Sequence, residues 1–277
     1  MDSSNKVVFI TGCSSGIGRA LAEDCLSRGC KLVATARKLE SLQTLGIESS
    51  EIERIPLDVD DPIQIRVAVR QAQDRFGRID VLINNAGYGQ MAPMMEVSGE
   101  MLRAQLMTNT IAPLLLSQAV APLMRAQGGG IIANIASVSG NVATPFAGAY
   151  CASKSAIVAI SDVMRMELAP FGIQVVTVQA GAIRSGFGDA ALKRVPAESA
   201  ESWYAPQNDA IRSRAGASQG KSMEATTFAN RLNTELLSGS PSAVIRLGPL
   251  SRLLPVLKAI LPTAAMDRVL RRRFGLK

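Results

Sequence analysis

At 277 residues the chain has room for one sizeable domain with a full hydrophobic core, and its 47% apolar against 19% charged residues exclude a disordered polymer. The formal net charge of +7 lies wholly in residues 246–277, where eight Lys and Arg face one acid, Asp267, leaving 22 against 22 in the rest. That positive charge comes without a recognition motif or interleaved aromatics, which argues against nucleic acid as a partner.

No apolar stretch of 18 or more residues occurs, and the first apolar run is only a strand long. Neither a membrane-spanning helix nor a secretory leader is therefore expected. Cys13, Cys25, Cys30 and Cys151 show neither zinc spacing nor a disulfide framework, so the expectation is no metal and a reducing, cytoplasmic setting. Cys151 reads as a small core residue.

Residues 6–10 form an apolar, strand-length run that enters Thr11-Gly-Cys-Ser-Ser-Gly-Ile-Gly18 and then a helical pattern over 19–26. Strand, glycine-rich turn and helix are the context in which glycines serve a phosphate. Gly12 permits the tight turn, Gly16 lets backbone approach a pyrophosphate, and Gly18 allows close helix–strand packing. The helix N-terminus then offers free N–H groups and partial positive charge, although a plain βα turn explains the same glycines. The second strand, 31–36, ends about twenty residues on, where a dinucleotide site reads the ribose 2′ position. Arg37 and Lys38 stand there, with no acid before Glu40. A carboxylate would repel a 2′-phosphate, whereas a guanidinium forks onto it, and Ser14 can add a hydroxyl. The pattern predicts NADP(H) over NAD(H); the alternative is a pair of solvated loop charges.

Asp58 ends a strand-like segment, 52–59, ahead of Pro62, where it can also cap a helix. The strand 80–83 closes on Asn84-Asn85-Ala86-Gly87, whose amides can pin backbone while Gly87 admits close approach; scaffold and ligand contact both remain open. A helix beginning near Glu100 carries Asn109. The strand 131–136 delivers Ser137 to its carboxyl end, where open α/β sheets bind ligands, with Ser139 as the competing serine. Thirteen positions later Tyr150 and Lys154 share one helix face at i and i+4. An ammonium beside a phenol favours the phenolate and is expected to pull the tyrosine below its usual value of about 10. That suits general acid–base work in a chain without histidine, although a surface pair has the same spacing.

Alternating strands and helices over 6–180 predict a single α/β domain, a doubly wound parallel sheet with helices on both faces. A helical run follows at 224–237 and a further strand at 243–247. Residues 186–222 are rich in Gly, Ser, Ala and Arg without a sustained period, an irregular segment of the kind that is functional or mobile; the family resemblance drawn below implies that it is a substrate lid. They hold the only tryptophan, Trp203, beside Tyr204; these two either line an apolar pocket or anchor the lid by packing. The tail, 246–277, is basic and apolar, is interrupted by Pro249, Pro255 and Pro262, and ends in Arg271-Arg-Arg273. It either makes peripheral contact with an anionic membrane or packs over the pocket or a partner subunit.

Thr11-Gly-x-x-x-Gly16-x-Gly18, Leu57-Asp58-Val59, Asn84-Asn85-Ala86-Gly87, Asn109, Ser137, Tyr150-x-x-x-Lys154 and Ala180-Gly181-Ala-Ile-Arg-Ser185 fall in one order and spacing. In these the chain resembles the short-chain dehydrogenase/reductase family, single-domain branch, and most of all its hydroxysteroid and retinol dehydrogenases and lipid-ketone reductases. The resemblance implies a seven-stranded Rossmann-type sheet with the dinucleotide across the crevice where strand order reverses. It implies cofactor contacts from Gly12, Ser14, Ser15, Gly16, Ile17, Gly18, Arg37, Asp58 (at the adenine), Val59, Asn85, Ala86, Gly87, Tyr150, Lys154, Ile183 and Ser185. Ser137 would donate to the substrate oxygen while Tyr150 delivers the proton, Lys154 would also hold the nicotinamide ribose, and Asn109 would hold a relay water. A homo-oligomer, dimer or tetramer, is implied too.

The function expected is NADP(H)-dependent interconversion of a secondary alcohol and a ketone, or an aldehyde, on a lipophilic substrate. The alternatives are a 3-oxoacyl-thioester reductase and a catalytically idle NADP(H)-binding sensor; an intact Ser137, Tyr150 and Lys154 argue against the latter. The family usually has Pro-Gly where this chain has Ala180-Gly181, and losing that φ restraint predicts a looser loop toward Ile183.

Overall fold

The structure, a computed structural model, describes residues 5–45 and 50–276. Strands buried on both faces are written as near-continuous apolar runs, and this chain has such runs at regular intervals. Among the described residues nine strands form: β1 (Val7–Ile10), β2 (Lys31–Ala36), β3 (Ile52–Pro56), β4 (Val81–Asn84), β5 (Gly130–Ser137), β6 (Ile173–Ala180), β7 (Ile183–Arg184), β8 (Met223–Glu224) and β9 (Val244–Leu247). Seven pair in parallel in the order β3-β2-β1-β4-β5-β6-β9, and β7 pairs with β8 separately. The order reverses between β1 and β4, so a crevice opens at their carboxyl ends.

The helices are α1 (Gly16–Ser27), α2 (Glu40–Gln43), α3 (Pro62–Phe76), α4 (Gly99–Leu106), α5 (Ala112–Ala126), α6 (Gly148–Leu168), α7 (Phe187–Leu192), α8 (Asn208–Ala215), α9 (Ala225–Leu237), α10 (Leu253–Ile260) and α11 (Thr263–Arg273). Successive strand residues point to opposite faces, and the core divides accordingly. Val8 and Ile10 pack with α1 and α9 through Leu21, Phe228 and Leu232. Val7 and Phe9 pack with α3, α5 and α6 through Ile65, Val120 and Met164.

Three expectations change here. Asp61, not Asp58, caps α3, accepting from Ile63 N at 2.8 Å and Gln64 N at 3.2 Å, with Pro62 at the first helical position. Residues 186–222 are not irregular throughout but contain α7 and α8. One continuous helical run, Gly99–Ala126, is long and apolar enough by length and composition to cross a membrane. Counting unbroken apolar residues misses it because Thr108, Asn109 and Thr110, then Ser117 and Gln118, interrupt the run. It is a core helix, with Leu116, Val120 and Met124 packed between sheet and neighbours.

Candidate active site

The glycine loop leaves β1 in a conformation that only glycine adopts freely: Gly12 has φ +74° and Gly16 φ +59°. A Cβ on Gly18 would lie 2.2 Å from the Gly12 carbonyl, so α1 packs directly on the turn. The turn is pinned from β4. Asn85 Nδ2 donates to Thr11 O at 2.8 Å, and Thr11 Oγ1 accepts from the N–H groups of Asn85 and Ala86 at 3.0 Å. The Asn85 side chain is thus spent on scaffold. Ser14 and Ser15 are exposed, while Ile17 turns its side chain to the core and offers the crevice only backbone.

The start of α1 suits an anion. Its first turn holds no acid and its cap, Ser15, makes no side-chain bond, so the first N–H groups are left for a ligand. Ser185 lies alongside, since a Cβ on Gly16 would meet its Cβ at 2.9 Å. Arg37 is exposed just past β2, Asp58 is half-buried past β3, and Val59 is buried beside it. Gly87 brings the β4 loop to the catalytic side: a Cβ there would lie 2.9 Å from Asn109 Oδ1 and 3.7 Å from Lys154 Nζ.

Ser137 ends β5 in extended backbone, φ −151°, and its Oγ accepts from Ser139 N at 3.1 Å. Tyr150 and Lys154 lie on the buried face of α6. Lys154 Nζ donates to the Ile135 carbonyl at 2.7 Å and lies 6.0 Å from the Tyr150 ring centroid. Burial pushes the Tyr150 phenol above its usual 10; the hydrogen bond with Ser137 and the nearby Arg214 cation pull it down, and Cys151 pushes it up. The expected lowering by Lys154 is therefore corrected. The ammonium is itself desolvated, with burial holding it at about 8 against an ordinary 10.5, and it is aimed at a backbone carbonyl.

Asn109 occupies a π-helical turn, Met107–Ile111, between α4 and α5, the kind of bulge that recurs at functional sites. Its Oδ1 accepts from Tyr88 N at 3.1 Å, and its Nδ2 donates to Tyr88 O at 2.9 Å and Ser153 Oγ at 3.0 Å. Ser153 Oγ donates in turn to the Tyr150 carbonyl at 2.8 Å. Asn109 thereby ties the β4 loop to the turn of α6 that bears the tyrosine.

The segment 186–222 covers this site at several points. Phe187 packs on Tyr150 with ring centroids 5.6 Å apart, in a cluster with Met91, Ala147, Cys151 and Ala191. The Arg194 guanidinium lies 4.3 Å from the Tyr88 ring centroid. Arg214, on α8, donates through Nε to Thr144 Oγ1 at 2.9 Å and through Nη2 to Ser139 Oγ at 3.3 Å. Arg214 has no motif around it, and sequence reasoning passed it over. Trp203 corrects the pocket reading: its side chain is 83% exposed. Tyr204 packs edge-on against Phe146 with centroids 6.1 Å apart, an anchor and not a pocket wall.

The loop after β6 is not loose. Gly181 N donates to Leu247 O at 2.8 Å, a Cβ on Gly181 would lie 2.1 Å from Pro249 O, and the β7–β8 pairing fixes Ile183 opposite Met223. Neighbouring backbone replaces the missing proline's restraint. The tail also packs inward, with Phe274 buried against Phe146.

A reversing parallel sheet, a glycine turn at a bare helix N-terminus and a serine–tyrosine–lysine group at the end of β5 together define a nicotinamide-dependent oxidoreductase. Residues 6–195 match the model of the short chain dehydrogenase family. A short-chain dehydrogenase of Penicillium ochrochloron is 37% identical over 236 residues, covering 84% of this chain and 85% of that one. A 3-ketodihydrosphingosine reductase of Bacteroides thetaiotaomicron is 35% identical over 184 residues, 66% of each chain. Among solved structures, a Streptomyces avermitilis short-chain dehydrogenase superimposes with a TM-score of 0.82 at 30% identity, covering 97% of this chain and 98% of that one. Two further family structures, from Burkholderia phymatum and Burkholderia cenocepacia, hold NAD and NADP respectively; their TM-scores are 0.79 and 0.75 and their identities 26% and 25%, each over 98% of this chain and 96% and 99% of theirs. The chain belongs to the short-chain dehydrogenase/reductase family.

Proposed function

We propose that this oxidoreductase uses NADP(H) to interconvert a secondary alcohol and a ketone, or an aldehyde, on a lipophilic substrate, with Tyr150 as the general acid–base. The observation that carries the reading is the gathering of Ser137, Tyr150 and Lys154 at the carboxyl end of β5, beside the glycine crevice and walled by Phe187 and Met91. The crevice fits the cofactor, because its floor is a cradle that a Cβ at Gly16 would fill and its helix terminus lacks any competing acid. Gly12, Gly16 and the first turn of α1 would hold the pyrophosphate, and Arg37 the 2′-phosphate. Bound there, the nicotinamide supplies or takes the hydride.

The chain's own residues do the rest. The Ser137 hydroxyl donates to the substrate oxygen and stabilises the charge that develops on it. The Tyr150 hydroxyl then gives that oxygen its proton. Burial raises the phenol above its ordinary value, so Tyr150 is protonated at neutral pH, the form that gives a proton to a ketone oxygen during reduction. Oxidation runs the same proton back onto the phenolate. Apolar residues around the tyrosine, together with a relative named for a sphingoid ketone, support a lipophilic substrate. Four buried, free cysteines support a reducing, cytoplasmic setting.

Tyr150→Phe should lower kcat by at least about a thousandfold while NADPH affinity stays within about twofold, measured by stopped-flow and fluorescence titration. Undiminished turnover would refute the assignment of Tyr150. Wild-type binding of NADPH with no turnover across steroid, retinoid and acyl-ketone panels would favour the idle sensor. For the 2′-phosphate, Arg37→Glu should cut kcat/KM with NADPH about a hundredfold and leave NADH little changed. Equal losses with both cofactors would remove Arg37 from the site.

A further inference from the structure

The C-terminal segment is tied to the body of the molecule at a few points, and its two helices hold no buried residue. Inside, Phe274 packs on Phe146, Gln207 Nε2 donates to Gly275 O at 3.4 Å, and the Lys258 ammonium donates to the Asn141 carbonyl. Outside, Leu253, Val256 and Ile260 recur at i, i+3 and i+7 on α10, which puts them on one stripe. They are 52%, 52% and 72% exposed. Lys258 projects from the other side of the helix, toward the body of the molecule. Leu250, held at φ +64°, a region leucine rarely enters, adds a fourth exposed apolar side chain just before the helix. On α11, Arg268 and Arg272 share a face at i and i+4, and both are exposed.

We propose that α10 and α11 form a docking surface for an anionic phospholipid membrane. The apolar stripe enters the boundary between headgroups and acyl chains, and the α11 arginines meet lipid phosphates and carboxylates. Charge selects this occupant. The region from Arg246 onward holds eight cations and one acid and carries the whole net charge of +7. A second copy seated on the same patch by twofold symmetry would oppose these cations with themselves, whereas an anionic leaflet attracts them. Length selects the geometry: eight residues of α10 rise about 12 Å, well short of a bilayer, so the helix lies in the interface.

Flotation of the full chain tests this with neutral phosphatidylcholine vesicles and with vesicles of phosphatidylcholine and phosphatidylserine at about 7:3. The expected result is flotation with the anionic vesicles only, weakening as salt rises. Val256→Asp/Ile260→Asp should abolish flotation while the thermal unfolding midpoint stays put. Arg268→Gln/Arg272→Gln, on the exposed face of α11, should weaken partitioning about thirtyfold and carries the test if the aspartate pair fails to fold. Absence of flotation overturns the proposal, as does equal binding to neutral vesicles or unimpaired binding by both double variants. Sedimentation velocity provides the last arm: a dimer that the aspartate pair dissociates would give the stripe to a second copy and also overturn it.

Discussion

Burial drives Tyr150 and Lys154 toward their neutral forms, and the two have opposite consequences for stability. In the native chain Lys154 loses its proton at about 8, against 10.5 for an ordinary lysine. Between those values the unfolded chain holds a proton that the native chain has released, so stability rises with pH across that window. Below about 8 the buried ammonium is a cost that the Ile135 carbonyl only partly offsets. Lys154→Met should therefore be more stable than the wild type at pH 7, and its advantage should shrink by about 3 kcal/mol by pH 10. Urea unfolding at the two pH values measures the gap, and a gap independent of pH would mean that the ammonium is solvated. Tyr150 works the other way only above its ordinary value of 10, where the unfolded phenol ionises first and stability falls, so the window up to pH 10 belongs to the lysine.

Between elements, the contact that matters most to the chemistry is α8 against the turn after β5. Arg214 reaches from α8 to Thr144 and Ser139, Ser139 N donates to Ser137 Oγ, and Ser137 and Arg214 both pull the Tyr150 phenol down against burial. A cation at that end of the chain favours the phenolate, the form that the proposed alcohol oxidation needs. Arg214→Met should move the rising limb of the kcat/KM profile for oxidation to higher pH and lower kcat at pH 8 about tenfold. Arg214→Lys should restore most of the limb, whereas a purely structural role would lower the profile without moving it. None of this was legible in the sequence, because a lone arginine in a Gly- and Ser-rich stretch has no spacing partner. The sheet was legible, since its strands are unbroken apolar runs, and so was the placement of Ser137 on a strand end and of Tyr150 and Lys154 on one helix face. The short helices α7 and α8 were hidden because six and eight residues do not establish a period. Trp203 misled for a different reason: aromatic character signals burial only on average, and here its neighbour Tyr204 takes the packing role.

At the scale of the whole molecule there are two packing systems of unequal strength. The sheet carries large clusters on both faces, and β5, paired along its full length with β6, is its spine. Residues 186–222 and the tail rest on a small satellite cluster of Phe146, Ile211 and Phe274. Phe146 links the two systems. It stands just before α6, the helix of Tyr150, and is held at φ +63°, where a non-glycine residue persists only if its surroundings impose it. Tyr204 from the segment 186–222 and Phe274 from the tail both press edge-on against its ring at 6.1 Å and 81°. Removing one of them should release the segment 186–222 and the first turn of α6 together while sparing the sheet, because sub-global opening follows the weaker cluster. Phe274→Ala should weaken that cluster by about 3 kcal/mol and raise KM about tenfold for a bulky ketone, with kcat within about threefold. Amide exchange should quicken over residues 146–150 and 208–215 but not over β5. Exchange that quickened everywhere would make the tail part of the global fold, and exchange that quickened nowhere would leave Phe146 held by the sheet alone.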